Sequence, residues 1–496
     1  MGEKGSVIII GSGLGGLQCG VVLGRHGYHV TVLEKHTQPG GCLQTFVRGK
    51  SKDSRCRFDC GFHYVGSVGK GEPLGIMMEY YGLKDLPWKR LDEDCFDEIC
   101  FVDSEKQVSS YPYAMGFENF AKRLSEYFPD SEEELKEFVS VIENVCDHTF
   151  SSFGPGGFNP YFSRSAKEFL EQTISDPKLR KVLSGPSLKM ELSPTLPLYI
   201  YSQIFGSFVR SAWRLEGGGE TLINPLCEII RSLGGEVLMG KEVTAIDCVD
   251  GKAVGVTLAD GESLTADYVI SDVHPTVTME MVGEGGRLRR VYRQRINSLS
   301  NTYGVFTANI RFKDGKFPYL NRNVFIHRED ADLWNPDPGK TESLMIHFYP
   351  EDGEFATRMD VMAPMDFTAL SGWKDLPKNR RGDLYEEAKK KKWEECLALL
   401  ESRFPGIREC IDGIYTSTPL TWLSYIGSPE GSAYGVRKSS ENVLATVISA
   451  KTPVEHLYLT GQSLNLHGIL GVSMSSILTC GEILGLETLR EEILKG

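Results

Sequence analysis

No two of the twelve cysteines form a CxxC pair and none clusters with histidine at zinc spacing, so neither a disulfide framework nor a metal site is expected. Positive charge is also scarce. The 54 lysines and arginines stand against 67 acids, a formal net charge of −13, which repels nucleic-acid phosphates and argues against such a partner. Long apolar runs are missing too: only residues 7–10 are continuously apolar before the glycine cluster that starts at Gly11, so neither a signal peptide nor a membrane span is expected there. These absences suit a reducing cytoplasm. Repeats and low-complexity segments are absent as well. What is present is a balance of 41% hydrophobic and 24% charged residues with 53 glycines, the composition of a folded protein rich in tight turns. At 496 residues the chain is expected to form two or three domains, enough to enclose a large cofactor.

Residues 6–10 read as a buried parallel strand, 14–26 as a helix opening from a glycine turn, and 29–33 as a second strand ending at Glu34. This is a βαβ unit. From 75 to 213 the pattern turns to amphipathic helices (118–127, 132–146, 166–173), the expected start of an inserted domain. A helix over 221–233 and strands over 236–238, 242–249, 253–258 and 268–271 return the chain to the first domain. Strands over 303–312, 344–349 and 358–363 and a charged helix over 384–404 continue the insertion. A strand over 456–460, glycines and a helix from about Val472 to 484 close the chain. The expected fold is α/β, a Rossmann-like nucleotide domain from 1–74, 214–290 and 441–496 with an α+β substrate domain from 75–213 and 291–440.

The strongest motif is Gly11-Ser12-Gly13-Leu14-Gly15-Gly16 between that strand and helix, with Glu34 closing the next strand. Gly11 allows the tight turn, Gly13 lets a pyrophosphate approach the helix amino terminus, and Gly16 permits close packing of helix on strand. Glu34 would accept from ribose hydroxyls. FAD and NAD share this fingerprint, and the doublet Gly40-Gly41 just past the acid favours FAD.

The wider pattern is Gly40-Gly41-Cys42-Leu43-Gln44-Thr45-Phe46, then Phe58-Asp59-Cys60-Gly61-Phe62-His63-Tyr64-Val65-Gly66. Here the sequence resembles the phytoene desaturase group of flavoproteins, and within it retinol saturases and carotenoid isomerases. The likeness extends to Leu457-Tyr458-Leu459-Thr460-Gly461-Gln462 and Gly468-Ile469-Leu470-Gly471-Val472 near the end of the chain. Partial likeness comes from Gly217-Gly218-Gly219, Thr418-Pro419-Leu420-Thr421 and Gly431-Ser432-Ala433-Tyr434-Gly435; the matched segments cover about a third of the chain. The resemblance implies an FAD site built from Gly11, Ser12, Gly13, Leu14, Gly15, Gly16, Glu34, Lys35, Gly40, Gly41, Val243, Gly461, Gln462, Gly468, Gly471 and Val472. Gln462 stands where many such flavoproteins carry aspartate. A helix starting near Gly471 would aim its positive end at the flavin N1 and C2 carbonyl.

His63 and Tyr64 are the catalytic candidates, expected near the isoalloxazine, where either could orient a polyene end or donate a proton. The bland alternative is a histidine bonded to nearby backbone. Cys42, Cys56 and Cys60 read as buried small residues rather than a redox pair. The stretch 196–213 is apolar and aromatic but carries Gln203 and Arg210; it reads equally as core or as a functional surface, either a tunnel wall or a face dipping into a membrane. The run 389–392 is expected to be a solvated face. With one dinucleotide fingerprint, electrons must come from transient NAD(P)H, a carrier, a quinone or the substrate. The leading expectation is an FAD-dependent enzyme that saturates or desaturates a C=C bond of an isoprenoid, retinoid or carotenoid-like lipid. The alternatives are a redox-neutral polyene cis-trans isomerase, an amine oxidase and a flavin-bearing lipid carrier; a peripheral membrane contact fits such a substrate.

Overall fold

The computed structural model describes residues 4–49, 55–149 and 160–495. The β-branched run Ser6–Ile10 forms a strand buried along Val7 to Ile10, as suits the middle of a parallel sheet covered on both faces. His29–Glu34 and Tyr268–Ser271 flank it in parallel, and Glu236–Met239 and Leu457–Leu459 complete a five-stranded, all-parallel sheet. Strands from distant parts of the chain thus meet at one edge of the glycine turn. The helix Leu14–Arg25 covers the sheet and packs between Glu220–Ser232 and Gly468–Leu484. This is the expected α/β Rossmann-like arrangement.

A separate antiparallel sheet is formed by Val243–Val249, Lys252–Leu258 and Ser263–Thr265. A mixed seven-stranded sheet runs in the order Ile411–Ser417, Gly304–Phe312, Arg358–Met365, Ser343–Phe348, Asn323–Arg328, Asp97–Val102, Val108–Tyr113. Its own core, including Phe306, Ile310, Ile346 and Leu400, lies under the long helix Asp383–Arg403.

Four local expectations are corrected. The region read as helices contains the strands Asp97–Val102 and Val108–Tyr113; the first is buried at every residue, acids included, because both acids find partners. The last long helix begins at Gly468, not near Val472, so Gly471 lies within its first turn. The stretch 196–213 does not meet a membrane through its apolar face: Leu198–Arg210 is a helix with Leu198 to Ser207 and Val209 buried. In the run 389–392, Lys389 pairs with Glu386, but Lys392 is buried and donates to the Lys340 carbonyl. Among the described residues no helix is long and apolar enough to cross a membrane.

Candidate active site

A large cavity opens beside the glycine turn, with about 2270 Å³ of empty space that includes open solvent at its mouth. Its lining runs from the glycine turn to His63, Tyr64 and Phe208.

One end is built by the βαβ unit. Gly11 takes φ +95°, turning the chain out of the strand, and a Cβ on Gly16 would stand 2.4 Å from the Gly11 carbonyl oxygen, so helix and strand touch there only because Gly16 lacks one. Glu34 is nearly fully buried. Its Oε2 accepts from the Ser12 amide at 3.1 Å and hydroxyl at 2.6 Å, and its Oε1 accepts from the His36 amide at 2.9 Å. Carboxylate lone pairs remain for a ribose. The Gly40 amide donates to the Ser12 carbonyl at 2.9 Å, which fastens the glycine doublet to the turn itself. Gly11, Gly13, Leu14, Gly15, Glu34, Lys35, Gly40, Gly41, Val243, Gly461, Gln462, Gly468 and Val472 all line the cavity, as do His63 and Tyr64. Ser12, Gly16 and Gly471 do not. Ser12 serves Glu34, Gly16 the helix packing, and Gly471 brings the last long helix against the Leu466 carbonyl.

Asp272, which sequence reasoning missed, follows the Tyr268–Ser271 strand and faces the turn. A Cβ on Gly13, Gly15 or Gly461 would lie 2.4, 2.7 or 2.6 Å from its carboxyl oxygens. Burial, with Glu34 adding repulsion, pushes this carboxyl up to about 7 against a Gly16 amide that favours the ion. The sign follows by linkage: stability from the neutral form is complete below the ordinary value of 3.8 and lost as pH rises through about 7. A diphosphate placed at the turn would meet a new negative charge over the same range. Flavin affinity is accordingly expected to fall about tenfold between about pH 6 and about pH 8, and Asp272→Asn to flatten that profile. Flavin titration by fluorescence across pH checks this; an unchanged slope in the variant would show that Asp272 is not the group involved.

At the other end, His63 and Tyr64 sit on the segment after the Cys56–Asp59 strand. Tyr64 donates its hydroxyl to Asp97 Oδ2 at 2.7 Å, and Asn323 occupies the other oxygen at 2.8 Å. Its proton is committed, and its ring is what lines the cavity. His63 packs edge-on to His347 with ring centroids 5.3 Å apart, and Asp360 lies 3.7 Å beyond His347. Burial, Lys189 and His347 hold His63 well below the usual histidine range, so it is a neutral imidazole. Lys189, another residue missed from sequence, stands over the Tyr64 ring at 4.9 Å and is lowered to about 8 by burial. The remaining wall includes Val65, Ile204, Phe208, Val305 and Met362. Helix Leu198–Arg210 is therefore core on most faces and cavity wall on one. Trp422, Tyr425 and Ile426 of Pro419–Ile426 and Ala433 and Tyr434 also line the cavity, with His36 Nε2 at 2.6 Å from the Tyr425 carbonyl. Burial pushes the Cys42 and Cys60 thiols up to about 12 and Cys56 to about 11, the opposite of a reactive pair.

The family described as flavin containing amine oxidoreductase matches residues 14–484. The chain belongs to this family. The flavin oxidoreductase is similar over 97% of its length, and 86% of the relative's, to all-trans-retinol 13,14-reductase of Danio rerio, at 26% identity. A lycopene-forming phytoene desaturase of Paracoccus sp. is 23% identical over 87% of each chain. Among solved structures, cyclohexylamine oxidase from Brevibacterium oxydans superposes over 99% of both chains with a TM-score of 0.61 at 14% identity, a likeness of fold. The resemblance noted from the motifs and the α/β class both stand.

Proposed function

We propose that this flavin oxidoreductase binds FAD and exchanges a hydride across a C=C bond of an isoprenoid or retinoid-like lipid, in the saturating direction. The dinucleotide end would hold the adenosine and diphosphate halves through Glu34, Gly13, Gly15 and Gly461. FAD, once bound, supplies a hydride donor and acceptor at the flavin N5. Gly40, Gly41, Gln462 and the amino end of Gly468–Leu484 would take the remainder, the helix end favouring negative charge on the reduced ring.

The observation that carries the substrate class is the charge of the far end. The acids lining the cavity, Glu34, Glu242 and Asp272, belong to the nucleotide end, whereas the wall beside Tyr64 and Phe208 is apolar and carries the Lys189 ammonium. A protonated amine would be repelled there and left unpaired. A neutral, elongated lipid would not. This favours the polyene reading over amine oxidation, and the retinol reductase and phytoene desaturase relatives act, by name, on such molecules. His63 would orient the polyene or pass a proton, and Tyr64, tied to Asp97, would contribute its ring face. Electrons would enter from transient NAD(P)H or another carrier.

The test is anaerobic. Flavin in the loaded protein is reduced by light, then all-trans-retinol or a carotenoid is added under argon. Return of the oxidised flavin spectrum with the lipid, and none with putrescine or cyclohexylamine, is the expected result; reduction of oxidised flavin by the amines instead would move the chain to amine oxidation.

A further inference from the structure

In a chain of net charge −13, five arginines fall within nine residues: Arg287, Arg289, Arg290, Arg293 and Arg295. They enter and occupy the helix Arg290–Asn297, whose outward face carries Arg290, Val291, Gln294 and Asn297. Only Arg287 has an acidic partner among the described residues, an exposed pair with Asp250. Arg293 reaches the Val282 carbonyl, and Arg295 covers the Tyr292 ring and donates to the Leu444 carbonyl at 3.2 Å. Arg289 and Arg290 are exposed and no ion pair holds them. Val291 is 76% exposed and Leu444 84%, the two most exposed large apolar side chains of the molecule's described residues. Arg295 lies one helical turn after Val291 and touches the Leu444 segment, so the two apolar residues flank one basic surface. Glu284 and Glu441 lie near it in sequence and are exposed. Asp250 offsets Arg287, and Glu280 is exposed on the helix packed against this one, so Arg289 and Arg290, which have no acidic partner among the described residues, are the cations that set the charge of the surface.

We propose that this surface docks on an anionic phospholipid bilayer, the arginines meeting headgroup phosphates and carboxylates while Val291 and Leu444 enter the interface. Cationic charge around exposed aliphatic side chains is the pattern that such a surface attracts, since the apolar residues gain nothing from a soluble polyanion. The inference does not depend on the redox reading. It locates a membrane contact away from the buried 196–213 helix, on the nucleotide side of the molecule, where Met281 of the preceding helix lines the cavity.

The experiment is co-sedimentation of the full, flavin-loaded chain with vesicles of phosphatidylcholine alone or mixed with phosphatidylserine. Binding to the mixed vesicles only, weakened by added salt, is expected. R289E/R290E should weaken it about tenfold or more, and V291S/L444S should weaken it at unchanged salt dependence. Bound flavin, read by absorbance, should be unchanged in both variants, which reports that they fold. The proposal is overturned if the wild-type chain ignores phosphatidylserine, if the charge-reversed variant binds as well as wild type, or if polyglutamate binds the arginine face while vesicles do not, which would assign it to an acidic protein.

Discussion

Gly15→Val should yield purified protein depleted of bound flavin. A Cβ at Gly15 would lie 2.7 Å from Asp272 Oδ1, 3.1 Å from the Gly461 amide nitrogen and 3.2 Å from its Cα. The carboxyl can rotate away, but the Gly461 backbone cannot, because its neighbours Thr460 and Leu464 are tied to Ser271 and to Gly461 by backbone hydrogen bonds. The two branches of valine add to this at the first turn of Leu14–Arg25, where the proposed diphosphate would sit. Overpacking of this kind costs about 1–3 kcal/mol. Paid wholly from binding, that weakens the flavin roughly five- to 150-fold. Isothermal titration with FAD and the flavin content of the purified variant measure it, with far-UV circular dichroism confirming that the sheet persists. Retention of wild-type affinity would mean that the amino-terminal turn and the Gly461 loop do not share one ligand.

Lys438→Met should be the most destabilising single change near the site. The Lys438 ammonium is buried and donates to the carbonyls of Thr446, Ser463 and Leu464 at 2.7, 2.6 and 2.9 Å. It pins the segment that follows Gly461 and Gln462. Methionine fills most of the volume but leaves carbonyl groups without their donor, a cost of about 3 kcal/mol. Thermal unfolding of the apo chain should drop accordingly, and the FAD dissociation constant should rise about tenfold because the loop must be ordered on binding. Lys374→Met, on an exposed lysine, should stay within about 0.5 kcal/mol of wild type. Equal effects of the two would remove Lys438 from its structural role.

The nucleotide end could be read from sequence because its requirements are local. A strand, a tight turn, a helix start and an acid at the end of the next strand follow from neighbouring residues, and Ser12 to Glu34 spans only 22 positions. The far end is assembled by tertiary contacts instead. Tyr64 finds Asp97 across 33 residues, Asp59 donates its amide to the Tyr349 hydroxyl across 290, and Lys189 reaches Tyr64 from a four-residue helix with no periodicity to mark it. The buried strand that carries Asp97 and Glu98 went unread, since a sequence does not display the Asn323 and Arg403 that pair with them. One signal was available for Asp272: an acid straight after the Tyr268–Ser271 strand, where a strand of a Rossmann sheet opens onto its ligand. The arginine run at 287–295 was equally visible in composition, although its apolar companion Leu444 lies about 150 residues away.

The central proposed step is a hydride passing between bound flavin and a lipid double bond. Its most direct measurement is the mass of the product after photoreduced, flavin-loaded protein is held anaerobically with all-trans-retinol. The expected product is heavier by two hydrogens, formed in step with reoxidation of the flavin and in no more than one equivalent per flavin. A rearranged lipid of unchanged mass, with the flavin still reduced, would contradict it and make the chain a polyene isomerase.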